Sequence, residues 1–372
     1  MSSDCDFLSR RALAVDASGI RKVFDLAAKM VDPINFSIGL PDFDVPEIVK
    51  RAAFEAIEAG HNRYTQTQGI APLRERLRKD LSAEFGRDVG EVLITSGVSG
   101  GLLLAILATI DPGDEAIFLD PYFVMYKHLL TLVGGKPVIV DSYPDFRFHA
   151  DRVEKAITAH SKLLILNSPS NPTGIVMTEA EVKSAVELAR KHDLLVISDE
   201  IYEPFLYDAP RGLPSPAKLD DRTLVLRGFS KSHAMTGWRV GYAAGPDAII
   251  SQMTKLQQYT FVCAPSPLQY AALAAMDVAM DSVVEDYRRK RDLVYDRLSK
   301  KFEIAKPQGA FYIFPKAPGG RSASEFVAKA IERNVLMIPG NVFSERDTHF
   351  RISYATSDEK LEKGCGILLA MA

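Results

Sequence analysis

The chain has 372 residues, a formal net charge of −3 and 47% hydrophobic residues, which is enough for two lobes with substantial cores. A nearly neutral chain with no basic tail and no zinc-type cysteine spacing argues against a nucleic-acid partner. The longest apolar run, Gly101 to Ile110, is half of the roughly 20 residues that a membrane span needs. We therefore expect a buried helix there and no membrane partner.

The three cysteines, Cys5, Cys263 and Cys365, are far apart in the sequence. This spacing predicts neither a disulfide framework nor a thiolate metal site, and no metal is expected. The N-terminal stretch shows no apolar core of a secretory signal. These features together favour a cytoplasmic location.

Short β-rich runs alternate with helix-like segments from residue 91 onward. The runs are EVLIT, AIFL, KPVIV, KLLIL, LLVIS and TLVLR, which start at residues 91, 116, 136, 162, 194 and 223. This α/β alternation predicts a mainly parallel sheet with helices on both faces. In such sheets the chemistry collects at the carboxyl ends of the strands, where polar motifs follow several of these runs.

The character of the sequence changes near Asp281. A charged helix-like segment is followed by short strand-like runs, GAFYIFPK, VLMIPG and FRISYA, and by a last helix. We expect a large domain over residues 46–280 and a smaller α+β lobe over residues 281–372. Residues 1–45 are expected to complete the smaller lobe.

The segment GFSKSHAMTGWRVGY, from Gly228 to Tyr242, places Lys231 eight positions before Arg239. A lysine that forms a Schiff base must lose its proton near neutral pH, and a desolvated site with a nearby cation favours that loss. Arg239 supplies such a cation, and its guanidinium can bind a phosphate through two hydrogen bonds. Taken alone, each residue is as simply explained as a surface charge.

Asp199 follows LLVIS and lies 32 positions before Lys231. Its carboxylate can pair with a protonated pyridine nitrogen and keep the ring an electron sink, or it can cap the next turn. Tyr202 can donate to the ring phenolate oxygen, although a core tyrosine is the commoner case. A Schiff-base lysine, an acid for the ring nitrogen and a cationic phosphate anchor predict a pyridoxal-phosphate (PLP) site.

Two other loops also begin where β-rich runs end. In NSPSNPTG the amide of Asn171 can donate to the ring oxygen or to a substrate carboxylate. In TSGVSGG the backbone amides of Val98 and Ser99 can hold a phosphate at the start of a helix. Phe123 in DPYFVMY can stack on the ring. A turn, helix packing and a core aromatic are the simpler alternatives.

Two residues near the chain ends are candidates for substrate binding. Arg351, in the apolar run FRISYA, suits a fixed α-carboxylate because its fork grips two oxygens. Gly39, in IGLPDFDVP, can bring its backbone close to the same carboxylate. A salt bridge at a sheet edge and a turn glycine are the alternatives.

Together the motifs resemble fold-type I PLP enzymes, and within them the class I and II aminotransferases, over essentially the whole chain. The landmarks in order are IGLPDF, NRYTQTQGIAPLRE, TSGVSGG, DPGDE, DPYF, NPTG, SDEIY, GFSK, GWRVGY and FRIS. The resemblance implies the PLP-dependent transferase fold, with a seven-stranded type of sheet in the large lobe. It also implies the roles given above for Lys231, Asp199, Tyr202, Asn171, Arg239, Val98, Ser99 and Arg351.

The resemblance adds a partner and one departure. In this family the tyrosine that corresponds to Tyr64 reaches the phosphate of the other subunit's cofactor, which implies a homodimer with shared active sites. Many relatives have a phosphate-binding serine where this chain has Gly228, and Ser230 is the candidate that replaces this contact. Lys127 is a candidate for a second substrate-binding cation, and a helix-surface lysine is the favoured alternative.

The predicted function is transfer of an amino group from an L-amino acid to a 2-oxo acid by a ping-pong cycle. The freed Lys231 amine acts as general base and acid. The alternative is a carbon–sulfur β-lyase on the same scaffold, and a DNA-binding regulator would need an added helix-turn-helix module. Without an evident second anion-binding side chain, the pattern favours neutral aliphatic or aromatic amino acids and leaves aspartate open.

Overall fold

The computed structural model of the protein describes residues 7–17, 19, 23, 26, 28, 30–208 and 212–372. Its largest sheet has seven strands: β2 (Val92–Ser96), β3 (Glu115–Asp120), β4 (Lys136–Asp141), β5 (Ser161–Asn167), β6 (Leu195–Asp199), β7 (Leu224–Gly228) and β8 (Val240–Ala244). Their order in the sheet is β2–β8–β7–β6–β5–β3–β4. All neighbours are parallel except the two pairs that contain β8. The predicted mainly parallel sheet is confirmed.

The reversed strand β8 decides what meets at one edge of the sheet. Because β8 is antiparallel to both β2 and β7, its first residue lies at the edge where the other strands end. Ser96, the last residue of β2, pairs with Val240 there. Arg239 therefore reaches the same edge as Asp199 and the loop after β7, although it precedes a strand rather than following one.

Helices cover the sheet and link its strands. They are α1 (Arg10–Leu13), α2 (Glu47–Glu58), α3 (Ala71–Phe85), α4 (Gly97–Thr109), α5 (Met125–Val133), α6 (Ala150–Ala156), α7 (Glu179–Lys191), α8 (Phe229–Ser232), α9 (Asp247–Gln257), α10 (Ser266–Ala275), α11 (Asp281–Leu298), α12 (Ala323–Glu332) and α13 (Asp358–Met371). Sequence chemistry sets several starts. Thr178 and Glu181, for example, form a reciprocal capping box at α7.

Helix α4 contains the long apolar run. Leu102, Leu104, Ala105 and Ile106 are fully buried in it, because the helix packs against the sheet on one side and against α5 and α9 on others. The prediction of a buried helix is confirmed. No helix among the described ranges is long and apolar enough to cross a membrane.

The C-terminal part of the chain has its own small sheets and core. Strand β1 (Ile34–Asn35) runs parallel to β10 (Val335–Leu336). Strands β11 (Ile338–Pro339), β12 (Phe350–Ser353) and β9 (Tyr312–Ile313) form an antiparallel sheet. Ile34 and Phe36 pack in one hydrophobic cluster with side chains from α11, α12 and α13. These contacts support the proposed smaller lobe of residues 1–45 and 281–372, whose boundaries stay a prediction.

Candidate active site

One cavity lies where the carboxyl edge of the seven-stranded sheet faces the C-terminal part of the chain. It is lined by Gly39, Val98, Ser99, Phe123, Asn167, Asn171, Asp199, Ile201, Tyr202, Ser230, Lys231, Thr236, Arg239, Tyr312 and Arg351. Of the residues that the sequence singled out for the site, all except Tyr64 and Lys127 are in this set. The structure thus brings them together, while the role of each stays a prediction.

Lys231 lies in α8, the short helix that follows β7. Its Nζ donates a hydrogen bond to the carbonyl oxygen of Gly39 at 2.6 Å. Burial lowers the pKa of Lys231 to about 8, and the positive charges of Arg351 and Arg239 add to the effect. A substantial fraction of this amine is therefore neutral near physiological pH, as a nucleophile or a general base requires.

Asp199 is the last residue of β6 and only 2% exposed. Its Oδ2 accepts a hydrogen bond from the Tyr126 hydroxyl at 2.7 Å, and its Oδ1 lies 3.4 Å from the Ile201 amide. Burial raises the pKa of Asp199 to about 6, while the Tyr126 hydrogen bond opposes this shift. A cation placed against this carboxylate would stabilise its charged form. The 3.4 Å contact to the Ile201 amide is too long for a strong capping hydrogen bond, so the turn-capping alternative has little support.

Arg239 approaches the start of α4. The residue has a left-handed backbone (φ 58°), and its Nη1 and Nη2 donate to the carbonyl oxygens of Thr236 and Ser96. Gly97 makes room for the guanidinium, since a Cβ there would lie 2.6 Å from Arg239 Nη2. The first amides of α4, those of Val98 and Ser99, line the same cavity. A guanidinium beside a helix N-terminus is a suitable anion site.

Arg351 enters the cavity from β12 and is 1% exposed. Its Nη1 donates to Asn171 Oδ1 at 2.9 Å and its Nη2 to the Ser37 carbonyl at 2.7 Å. The guanidinium lies 4.5 Å from the centre of the Tyr312 ring. Its Nε has no hydrogen-bond partner within the described residues. The guanidinium thus keeps one donor that no described residue uses, and its role in binding a substrate carboxylate stays a prediction.

Aromatic side chains complete the walls. The hydroxyl groups of Tyr202 and Tyr312 are 2.8 Å apart, and burial raises the pKa of Tyr202, so its hydroxyl stays protonated. Phe123 packs edge-on against Tyr126 with ring centres 5.8 Å apart. Both Phe123 and Tyr202 can therefore contact a planar ring held between Asp199 and Lys231.

The glycine at position 228, where many relatives have a phosphate-binding serine, has a steric explanation. A Cβ at position 228 would lie 2.9 Å from the Cα of Gly241 on the neighbouring strand β8, so a side chain there requires the strands to separate. Gly228 lines a different cavity, whereas Ser230 lines the one that contains Lys231. Ser230 is thus placed where the replacement contact was predicted.

Two candidates lie elsewhere on the surface. Tyr64 is 84% exposed and does not line this chain's cavity. Lys127 forms an ion pair with Glu345, with Nζ and Oε1 2.8 Å apart, and its side chain is 40% exposed. The helix-surface alternative for Lys127 is therefore the better description.

Among the side chains that were not singled out from the sequence, three hold predicted site residues in place. Tyr126 binds Asp199, Tyr312 binds Tyr202, and Asn167 donates to the Asp199 carbonyl while accepting from the Asn171 amide. Tyr126 and Asn167 belong to motifs that the sequence did highlight, DPYFVMY and NSPSNPTG. Tyr312 had no such signal, because only the folded chain brings β9 to the cavity.

The arrangement fits PLP. Asp199 is a buried carboxylate without a cation of its own in hydrogen-bond contact among the described residues, as a pyridinium partner should be. The start of α4 at Gly97, with the Arg239 guanidinium beside it, suits the phosphate. The lowered pKa of Lys231 suits an amine that condenses with an aldehyde.

Comparison with known proteins agrees with this chemistry. The sequence profile of the family "Aminotransferase class I and II" matches residues 31–368. The chain is 39% identical over 373 residues to a probable aspartate aminotransferase of Methanocaldococcus jannaschii, covering 97% of this chain and 98% of that protein. It is also 39% identical over 373 residues to aromatic-amino-acid aminotransferase 2 of Thermococcus litoralis, covering 96% of each.

Solved structures give the same result. The aspartate aminotransferase from Thermus thermophilus with maleate superposes with a TM-score of 0.92 at 36% identity, covering 98% of this chain and 99% of that chain. The predicted PLP-dependent transferase fold is confirmed. The chain belongs to the class I and II aminotransferases, which are PLP-dependent enzymes.

Proposed function

We propose that this aminotransferase carries PLP on Lys231, with Asp199 at the ring nitrogen, Arg239 at the phosphate and Arg351 at the substrate α-carboxylate. The bound cofactor supplies an electron sink for the pair of electrons left at the substrate Cα. The observation that supports the proposal most is the convergence of Lys231, Asp199 and Arg351 on one cavity from distant parts of the chain.

Lys231 moves the proton in this scheme. Its neutral amine takes the proton from the substrate Cα. It then gives this proton to the cofactor carbon that is bonded to the transferred nitrogen. Gly39 accepts a hydrogen bond from the amine and so directs it toward the substrate end of the cavity. Burial and the charges of Arg351 and Arg239 keep the amine from holding its proton too tightly.

Tyr202 and Asn171 orient the reacting groups. Asn171 Oδ1 accepts from Arg351 Nη1, so the side-chain amide nitrogen is free to donate to the ring oxygen of the cofactor. The Tyr202 hydroxyl can donate to the same oxygen by turning from Tyr312. Phe123 covers the ring face. Each contact holds the ring in one plane relative to Lys231.

For the amino donor we propose neutral aliphatic or aromatic L-amino acids. Among the described residues that line the cavity, the cations are Lys231, Arg239 and Arg351, and each already has a role. A second substrate carboxylate would therefore lack a cationic partner from this chain. The relatives include enzymes named for aspartate and for aromatic amino acids, so the family allows either choice.

A half-reaction screen tests this function. The PLP-loaded protein is mixed with single amino acids, and the change of cofactor absorbance gives a rate for each. We expect leucine, phenylalanine and tyrosine to react faster than aspartate and glutamate at equal concentration. A preference for aspartate of tenfold or more would contradict the substrate proposal, and no reaction with any amino acid would contradict the function.

Transamination is separated from β-elimination by the need for an acceptor. We expect turnover with an amino donor only when a 2-oxo acid is present. Pyruvate and ammonia released from cystathionine without an acceptor would instead favour the lyase. The relatives' names are those of aminotransferases, which supports the first outcome.

The homodimer belongs to the proposal. Tyr64 and Tyr259 are 84% and 85% exposed, and a partner subunit that covers them would bury two large rings. Mixing Lys231→Ala and Tyr64→Ala proteins tests site sharing. In mixed dimers, one site combines an intact Lys231 with an intact Tyr64, so activity should recover above that of either variant. A monomer in analytical ultracentrifugation would contradict the proposal.

We also propose the cytoplasm as the location. Cys263 and Cys365 are free thiols, as a reducing compartment maintains, while Cys5 lies outside the described residues. Fractionation of the native cells, with activity in the membrane-free, non-periplasmic fraction, is the expected result.

A further inference from the structure

An ion cluster with two buried members lies next to the two chain segments that carry Asp199 and Lys231. We call Glu84, Glu200 and Arg227 the Arg227 cluster. Arg227 and Glu200 are 5% and 1% exposed. Arg227 and Glu200 line a second cavity, together with Gly228, Ser232 and His233, and no member of the cluster lines the cavity of Asp199 and Lys231. It therefore cannot act on the reacting atoms by direct contact.

Arg227 binds both carboxylates through most of its guanidinium. Its Nε donates to Glu200 Oε2 at 2.8 Å, and its Nη2 lies 2.7 Å from the same oxygen. Nη1 and Nη2 donate to the two oxygens of Glu84 at 2.7 and 2.8 Å. A lysine could not reproduce this arrangement, because a single ammonium lacks the planar fork.

The cluster joins the strand ends that bear the site. Glu200 directly follows Asp199, and Arg227 lies four residues before Lys231. The Glu200 amide also donates to the Leu226 carbonyl at 2.9 Å. The Arg227–Glu200 ion pair therefore adds a side-chain link between β6 and β7 close to where Asp199 and Lys231 leave them.

Glu200 is held from its other side as well. Its Oε1 accepts hydrogen bonds from Ser198 Oγ at 2.8 Å and Ser215 Oγ at 2.6 Å. With Arg227 on Oε2, both carboxylate oxygens are bound, so this charge has one fixed position beside Asp199. Removing Arg227 would leave the charge buried and without a cation in contact.

The charge of Glu200 reaches the active site. Burial is the main cause of the raised pKa of Asp199, and the negative charge of Glu200 adds to it. Burial opposes the charged form of Arg227, yet Glu200, Glu84 and Glu203 together raise its pKa. Arg227 thus stays charged and compensates Glu200, which limits the effect of that carboxylate on Asp199.

We propose that Arg227 is a positioning residue for Asp199 and Lys231, acting through Glu200 to fix the two strand ends and to cancel a carboxylate charge beside the cofactor ring. The inference rests on the proposed roles of Asp199 and Lys231. It extends them to a residue that touches neither cofactor nor substrate.

A series of variants tests this proposal through two measurements that need no substrate. These are the dissociation constant of PLP from the cofactor-free protein, and the pH midpoint of the absorbance change of bound cofactor. The variants are Arg227→Met, Arg227→Lys, Glu84→Gln and the double variant Arg227→Met with Glu200→Gln. Arg291→Met is the matched control, because Arg291 is equally buried but pairs with Asp208, away from the cavity.

The expected shifts have opposite signs. Arg227→Met leaves Glu200 uncompensated, so the pH midpoint should rise and PLP should bind roughly tenfold or more weakly, as when one partner of a buried charge pair is lost. Glu84→Gln leaves Arg227 in excess, so the midpoint should fall. The double variant removes both charges and should return the midpoint toward that of the parent protein. Arg227→Lys should restore the midpoint more than the affinity.

The purely structural alternative predicts another pattern. If Arg227 only stabilises the fold, Arg227→Met and Arg291→Met should both lower the thermal stability while leaving the midpoint and the PLP affinity unchanged. That result would overturn the inference. If Arg227→Met does not fold, Glu84→Gln and Arg227→Lys decide the question: a lowered midpoint in the first, and weaker PLP binding at a nearly parental midpoint in the second, support the inference, whereas no change in either variant overturns it. Failure of the parent protein to bind PLP on Lys231 would instead contradict the proposed function.

Discussion

The cavity has two ends that are built differently. The cofactor end, with Asp199, Lys231 and Arg239, comes from neighbouring strands of one sheet. The proposed substrate end has Gly39 from the N-terminal part of the chain and Tyr312 and Arg351 from the C-terminal part, and these segments meet only in the folded chain. The cofactor end is therefore fixed by sheet register, whereas the substrate end depends on how the C-terminal part packs against the sheet.

This difference implies a division of labour. A sheet edge with all backbone groups paired holds its side chains rigidly, which suits a cofactor that stays bound. A site wall supplied by separate segments can move relative to that edge without breaking the sheet, which suits a substrate that must enter and leave. The following predictions test the two ends separately.

The largest effect is expected at the cofactor end. Lys231→Ala should lower turnover by roughly 10⁴-fold, because the general base and the covalent attachment are lost together. PLP should still bind without a covalent bond, as seen by dialysis and by the absence of a borohydride-trapped adduct. Lys127→Ala, which removes only a surface ion pair, is the control. Turnover by Lys231→Ala within about tenfold of the parent protein would disprove the role.

The substrate end is tested by Arg351→Met. Loss of the buried guanidinium should lower kcat/KM by roughly 10² to 10³-fold, the cost of leaving a carboxylate without its charged partner. PLP affinity should change much less, because Arg351 is placed at the other end. Stopped-flow half-reactions and PLP titrations measure the two quantities. Equal losses in both would mean that the two ends are not separable.

Asp199→Asn should separate stability from function. The pKa of Asp199 is raised to about 6 by burial, so the folded cofactor-free protein binds this proton more tightly than the unfolded chain. The carboxyl therefore contributes stability below its ordinary pKa, and this contribution is lost as the pH rises toward 6.

At pH 7.5 the cofactor-free Asp199→Asn protein should consequently be more stable than the parent, by about 2 to 3 kcal/mol in free energy of unfolding. The difference should nearly vanish at pH 4, and PLP should bind the variant more weakly. Urea unfolding at both pH values measures the first effect. A variant that is less stable at pH 7.5 would contradict the assignment of burial as the cause.

The smallest effect concerns the contact between the ends. The Tyr202 and Tyr312 hydroxyl groups are 2.8 Å apart, so Tyr202→Phe and Tyr312→Phe remove the same hydrogen bond. Tyr202→Phe should also remove a donor to the cofactor, lowering turnover about tenfold and shifting the pH midpoint of the bound cofactor. Tyr312→Phe should leave that midpoint in place. Identical profiles for the two variants would show that only their shared bond matters.

The sequence predicted where most strands of the large sheet lie, but it did not predict that one strand runs antiparallel to its neighbours. The six β-rich runs from EVLIT to TLVLR all became strands. Most of them are runs of buried aliphatic residues, which fit a strand covered on both faces, whereas β4 lies at the edge of the sheet and is only partly buried. Strand β8 was not predicted as a strand, since its residues VGYAA also form the end of the motif around Arg239. Its reversed direction arises from pairing with β2 and β7, which no local pattern encodes.

The site divides in the same way. Lys231, Asp199, Asn171 and Arg239 were found because each lies in a polar motif beside a strand, and the carboxyl edge of a parallel sheet brings such motifs together. Sequence reasoning did not find Tyr312 or the Arg227 cluster. An aromatic residue in an apolar run and a charged residue at a strand end are both common in sequences and do not indicate a site. Their meaning depends on which side chains lie opposite them.

The amino-acid sequence by itself predicted PLP chemistry, because the identities and order of the lysine, acid and arginine motifs are those of a PLP site, but it left transamination and β-elimination open. Tertiary structure alone decided how the amine is tuned, because its lowered pKa arises from burial and from two arginines 8 and 120 positions away. Tertiary structure also decided that Glu200 pairs with Arg227, whereas Asp199 has no cation in hydrogen-bond contact among the described residues. Electrostatic energies depend on distance and on exclusion of water, and neither is set until the chain has folded.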